Sequence, residues 1–288
     1  MTRTSKAIIA ATVLTVSLAG QLSAATFKVF SGEAQAFITP SKCNFRLDGE
    51  IVTGDLANLA AARAQVEKLV GDRLAVNWSM AAQWASRSPV LCLNSRGGNF
   101  AEGLRIADYL MAVGADHEVT TYVENRAECY SACALLFLAG RLNDRGGESY
   151  PARFLHVGGR VGFHAPYIEP SGLQDRSYSR TEVAQSFKAA IGGVTAAIRL
   201  FDERAFGGPK VHDDNRPWVS SSLFVEMLRK GPNELFAIDT VGKAGRWGIG
   251  LVPLSQKVAL DQFENRDLGE IHRPTDEVRD GSPQIRRQ

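Results

Sequence analysis

Along the chain, short apolar runs alternate with stretches in which apolar side chains recur every three or four residues. Residues 45–51 alternate apolar and polar positions about Asp48 and Gly49, which predicts a strand entering a turn. Asp55 is placed to cap a helix to about Val70, with Leu56, Leu59, Val66 and Leu69 on one face and Gly71 as its stop. Residues 89–93 read as a second, apolar strand that runs into the sharp turn 94–98. Phe100, Leu104, Ala107, Leu110 and Met111 then follow at helical spacing. Residues 119–123 are rich in β-formers. Residues 131–138 are almost wholly apolar, which suits a buried helix, although periodicity alone also admits a strand. Strand, turn and helix in three successive rounds predict an α/β fold with parallel strands and flanking helices.

Beyond Gly140 the pattern loosens. Residues 140–159 read as a polar, glycine-rich connection and 161–164 as a short strand. A long amphipathic helix is predicted over 181–206, with Val183, Phe187, Ile191, Val194, Ile198 and Phe201 in one stripe and Gly192-Gly193 weakening its middle. A loop over 207–217, a helix about 223–228 and a last element over 235–252 complete the ordered part. From Glu264 the chain is charged, proline-bearing and aperiodic, the composition of a disordered tail over 264–288. No internal repeat is present, so one domain over 26–263 is expected.

The first 25 residues are an export signal by pattern: Arg3 and Lys6, then a small and apolar run over 7–19, then Ser23 and Ala25 ahead of a cut before Thr26. A membrane anchor would need ~20 unbroken apolar residues, and this run is shorter and interrupted by Thr12, Thr15 and Ser17. The mature protein is therefore expected to be periplasmic or secreted, with no stable membrane span after cleavage. Of 288 residues 44% are hydrophobic and 22% charged, ordinary for a globular chain. The 33 basic residues include Arg3 and Lys6, which leaves 31 against 31 acidic ones after cleavage; no basic field for nucleic acid remains. Export also places Cys43, Cys92, Cys129 and Cys133 in an oxidising compartment, where an even number suits pairing, and all three pairings stay open. Cys129 and Cys133, four apart, would be within disulfide reach on a helix and would then stiffen the turn between them; two buried thiols are the plainer alternative. Zinc would require a second Cys/His pair at matching spacing, so no metal and no cofactor are expected.

Three stretches carry candidate chemistry. Gly97 and Gly98, in the turn after the second apolar strand, can present backbone N–H groups to a developing oxyanion, though adjacent glycines also make ordinary tight turns. Ser131 stands at the mouth of the buried apolar run, with the N–H of Ala132 as a second oxyanion donor. Serine is equally a leading helix cap, and with Cys129 and Cys133 as flanks it lacks the Gly-x-Ser-x-Gly setting of a nucleophile elbow. His164, at the end of a short strand, is placed to act as general base, with His156 and His212 as competitors.

In order and spacing these stretches resemble one family. Residues 93–98 with 103–108 are similar to the Asn-Ser-Pro-Gly-Gly turn and following helix of the ClpP serine peptidases. Residues 131–140 resemble that family's nucleophile helix, Phe163-His164-Ala165-Pro166 its catalytic-histidine strand, and Asp48-Gly49-Glu50-Ile51 its opening strand and turn. The similarity spans roughly residues 45–166, with an echo at 244–249, and within the ClpP/crotonase superfamily it is nearest to exported ClpP-like bacterial proteins. It implies stacked ββα units assembled as rings or smaller homo-oligomers. It further implies Ser131 as nucleophile, His164 as base, and Gly97, Gly98 and Ala132 as the oxyanion hole. Arg96 stands where the family has proline, and the stretch from Gly140 to His164 is longer. The acidic third member has no clear counterpart; Asn233, Glu234 and Asp239 are the candidates before the last helix, with Asp202, Asp213 and Asp214 behind them. The function implied is an exported serine hydrolase acting on peptides or unfolded protein. The alternatives are an inactive scaffold of the same fold that binds a peptide or protein partner, and a crotonase-type acyl-CoA enzyme.

Overall fold

The computed structural model describes residues 24–30, 43–76, 89–112, 118–143, 149–166, 177–207, 218–231 and 234–252. Nearly all of the expected export signal, the segment carrying His212, Asp213 and Asp214, Asn233 and the charged tail expected over 264–288 lie outside these residues. Six strands form the main sheet: β1 (Thr26–Val29), β2 (Phe45–Asp48), β3 (Val90–Asn94), β4 (Thr120–Val123), β8 (Arg153–His156) and β11 (Gly250–Val252), side by side in that order. Only β1 runs antiparallel to its neighbour; the other four pairings are parallel. A smaller sheet joins β5 (Glu128–Tyr130), β9 (Arg160–Phe163) and β10 (Phe236–Ala237), with β9 in the middle. A two-stranded ribbon pairs β6 (Arg141–Asn143) with β7 (Ser149–Pro151). The helices are α1 (Asp55–Val76), α2 (Phe100–Ala112), α3 (Ala132–Leu138), α4 (Arg180–Gly207), α5 (Ser221–Leu228) and α6 (Val241–Arg246). The architecture is thus mixed α/β, a mainly parallel sheet flanked by helices, as the alternating pattern predicts. Among the described residues no helix is long and apolar enough to cross a membrane.

Packing explains where the elements sit. Val90, Leu91, Cys92 and Leu93 are all buried, as expected of a central parallel strand covered on both faces. Every residue of α3 is buried, so the apolar run resolves as a core helix. Helix α2 lies directly upon it at Gly103, where an added Cβ would come within 2.9 Å of the Ala132 Cβ. Cys43 and Cys92 form a disulfide that ties the entry of β2 to β3.

The structure corrects the predicted pattern in four places. Helix α1 passes through Gly71 and ends at Val76, since one glycine costs a helix only about 1 kcal/mol and good helix formers follow. The supposed connection over 140–159 contains β6, β7 and β8, of which β8 is an inner strand of the main sheet. Its pattern is obscured by Arg153, a buried cation whose three nitrogens donate to the carbonyls of Gly248 (3.2 Å), Leu138 (3.2 Å) and Trp218 (2.8 Å). Burial lowers its pKa to about 9, still charged at neutral pH, and its role is to satisfy carbonyls at the ends of α3 and α6. Strands β1 and β5 are four and three residues long, too short for their alternation to be read. Finally, α4 is continuous through Gly193, which faces the Phe100 ring, but its stripe divides. Ala197, Leu200 and Phe201 are buried, whereas Val183, Phe187 and Ile191 are 58%, 67% and 51% exposed.

Candidate active site

The site grows from the junction of β5 and α3. Ser131 lies between them at φ 55° and ψ −122°, a conformation that L-residues rarely hold. Its side chain makes no capping hydrogen bond to α3, which removes the ordinary reason for a serine in this position. Of residues 129–140 it alone is not buried. A partly exposed serine at positive φ on a strand-to-helix turn is similar in backbone to a nucleophile elbow, even though the sequence lacks that motif's glycines. The elbow positions two before and two after the serine are Cys129 and Cys133, and they are joined in a disulfide with Cα atoms 5.2 Å apart. Of the two readings of this pair the structure has the bridge, and it links a strand to a helix rather than two turns of one helix.

The glycine turn packs onto this elbow. Gly97 and Gly98 have φ of 106° and 125°, and a Cβ on Gly97 would lie 2.7 Å from Ser131 Cβ and 3.2 Å from the Ala132 nitrogen. The turn is held there by pairing with β5: Ser95 N–H donates to Glu128 O (2.6 Å) and Tyr130 N–H to Ser95 O (3.0 Å). On its other side Ile51 N–H donates to Gly97 O (2.7 Å). Ser95, to which the sequence assigned no role, is buried, and its hydroxyl accepts the Gly97 N–H at 3.1 Å. That corrects one expectation: the Gly97 amide is spent inside the turn. Among the described residues no hydrogen bond engages the N–H of Gly98 or of Ala132.

His164 follows β9, the strand that pairs with β5 in parallel, Tyr130 opposite Gly162. Ser131 N–H donates to Gly162 O at 3.1 Å, so serine and histidine emerge at the same end of adjacent strands. The imidazole is buried, with Nδ1 2.8 Å from the carbonyl oxygen of Ala165. A carbonyl only accepts, so this contact keeps the proton on Nδ1 and makes Nε2 the basic nitrogen. Among the described residues the Ser131 hydroxyl makes no hydrogen bond, to His164 or to any other group. Glu234 and Asp239, the acidic candidates whose side chains are described, face lysines. Asp239 falls beyond Ala237, which pairs with Gly162, so it lies toward the far end of β9, and its carboxylate is held by Lys243 (2.6 Å). Glu234 comes closer in register, but its carboxylate is exposed and 3.7 Å from Lys230. His156 is occupied by the Gly158 N–H (2.9 Å).

Charge is concentrated beside the turn. Glu128 receives both Arg96 (3.1 Å) and Arg160 (3.0 Å), so Arg96 is tethered beside the turn. Burial, then the Glu128 charge, pushes the neighbouring Tyr130 phenol up to about 12, which keeps it neutral. The sulfurs of Cys43 and Cys92 lie within 4.8 Å of a Glu124 oxygen, but as a disulfide they offer no thiolate to a metal.

No protein-family model matches the chain, and no curated protein matches it. Among solved structures, a mutant of ClpP1 from Listeria monocytogenes is similar over 73% of this chain and 90% of its own, with 16% sequence identity and a TM-score of 0.42.

Proposed function

We propose that this chain is an exported ClpP-like serine hydrolase, an ATP-independent peptidase acting on short or unfolded peptides. The observation that carries the reading is Ser131, partly exposed, uncapped and held at positive φ against Gly97, with the unengaged amides of Gly98 and Ala132 beside it. In this mechanism the Ser131 oxygen attacks the scissile carbonyl while His164 Nε2 takes its proton, after a side-chain rotation that brings the two together. The Gly98 and Ala132 amides receive the oxyanion, a contribution worth about 10²–10³ in rate per donor. The imidazolium then protonates the leaving amine, and water, activated by the same nitrogen, releases the acyl group. The Ala165 carbonyl, 2.8 Å from Nδ1, holds the tautomer this step requires.

Export is supported by the leader pattern and by the pairing of all four cysteines, which suits an oxidising compartment. On this reading residues 1–25 are removed, 26–263 form the domain, and no ATP-driven unfoldase accompanies it. Self-association would cover the exposed Val183, Phe187 and Ile191 of α4. The second reading, a non-catalytic scaffold that binds peptide in the same cleft, is favoured by the placement of Glu234 and Asp239, whose carboxylates face Lys230 and Lys243. A fluorophosphonate probe separates the two. The hydrolase labels, and Ser131→Ala and His164→Ala abolish or strongly reduce labelling. A scaffold stays unlabelled, and labelling that persists in Ser131→Ala overturns the assignment.

A further inference from the structure

We infer that the Cys129–Cys133 disulfide is a positioning element for the nucleophile, the bond that maintains the strained backbone of Ser131. The inference rests on the hydrolase reading for its kinetic consequence, but not for its structural one. Four further residues of strand would separate residues 129 and 133 by about 13 Å, whereas their Cα atoms stand 5.2 Å apart. The chain therefore leaves the extended path within this interval, and Ser131 is the residue that takes the positive φ. On the strand side the backbone is fixed by Tyr130 N–H to Ser95 O and by Ser131 N–H to Gly162 O. On the helix side the turn is held by the hydrogen bond from Ala134 N–H to Ser131 O (2.9 Å), by packing of Gly97 and Gly103 against it, and by the disulfide. The disulfide is the covalent link between the two arms of the elbow. Both cysteines are fully buried and flank the one partly exposed residue of the segment. In a nucleophile elbow those two positions are glycines that let strand and helix approach; here a covalent bond draws them together.

The other disulfide supplies an internal control, since Cys43–Cys92 joins β2 to β3 away from the elbow. Wild type, Cys129→Ala/Cys133→Ala and Cys43→Ala/Cys92→Ala are compared for the second-order rate of fluorophosphonate labelling and for thermal midpoint. Both pairs of substitutions should lower the midpoint, but only the elbow pair should slow labelling, by tenfold or more, with the control pair within twofold of wild type. Equal labelling rates in all three, or losses that simply follow the midpoints, would overturn the inference. If the elbow variant does not fold, Cys43→Ala/Cys92→Ala, whose remaining disulfide is the elbow one, is titrated with dithiothreitol. Labelling should then fall as that bond is reduced while circular dichroism stays constant, and undiminished labelling of the reduced, folded protein would refute the role. Should wild type itself not label, the hydrolase reading fails while the structural claim stays testable. Crystal structures should show positive φ at Ser131 with the bond intact and a relaxed, negative φ without it; unchanged φ would refute it.

Discussion

Substituting Gly97 by alanine tests the contact between the glycine turn and the elbow, because the chain contains a matched control. Gly97 and Gly54 share almost the same positive φ, 106° and 102°. An alanine at either site bears the strain of a positive φ, on the order of 1–2 kcal/mol. Their surroundings differ completely: a Cβ at Gly54 meets nothing within 4 Å, whereas at Gly97 it meets Ser131 Cβ at 2.7 Å, Tyr130 O at 2.8 Å and Ala132 N at 3.2 Å. To restore ordinary van der Waals separation the turn must withdraw from the elbow by roughly 0.7 Å. Displacement of that size between reacting groups costs about 10²-fold in rate, equivalent to about 2.7 kcal/mol. Fluorophosphonate labelling rates and urea unfolding of Gly97→Ala and Gly54→Ala give the comparison. Gly54→Ala should label within twofold of wild type despite a comparable loss of stability, and Gly97→Ala should label about a hundredfold more slowly. Equal rates in the two variants would refute the claim that Gly97 buttresses the nucleophile.

Three further outcomes follow from the same geometry. Ser95→Ala removes the acceptor of the Gly97 N–H, leaving a buried donor unsatisfied at a cost of about 1–3 kcal/mol in urea unfolding, and it should slow labelling as well. Arg153→Ala strips the bonded carbonyls of Leu138, Trp218 and Gly248 and opens a cavity; unfolding free energy should fall by roughly 3–5 kcal/mol. Burial, then Glu124, pushes the Tyr122 phenol up to about 12, against about 10 in the unfolded chain. Its contribution is therefore complete below about pH 10 and is lost as the pH climbs to about 12, so wild type should lose stability relative to Tyr122→Phe across that window.

Much of this was readable from residue order because the relevant signals are local. Gly97-Gly98 after an apolar strand, a serine opening an apolar run and a histidine closing a short strand each mark an element end, and parallel strands gather such ends on one side of a sheet. What escaped was set by distant partners. Arg153 looks like a loop residue until the helix ends it serves come from segments far along the chain. The loss of the Gly97 amide to Ser95 depends on how the turn folds back on itself, which residue types do not disclose. Asp239 looks eligible as a triad acid by position, but the antiparallel register of β10 sends it toward the far end of β9, where Lys243 holds it. Cys129 and Cys133 suggested a bridge by spacing alone, while the strand-to-helix turn that it spans is visible only in three dimensions.

The central claim is that one hydroxyl, one imidazole and two amides converge on a single carbonyl-sized space. A crystal structure of the phosphonylated protein tests it most directly. The account predicts phosphorus bonded to Ser131 Oγ, its oxygen about 2.7–3.1 Å from both Gly98 N and Ala132 N, and His164 Nε2 within hydrogen-bond reach of the adduct. An adduct on another residue, or one on Ser131 whose oxygen faces solvent away from both amides, would contradict it.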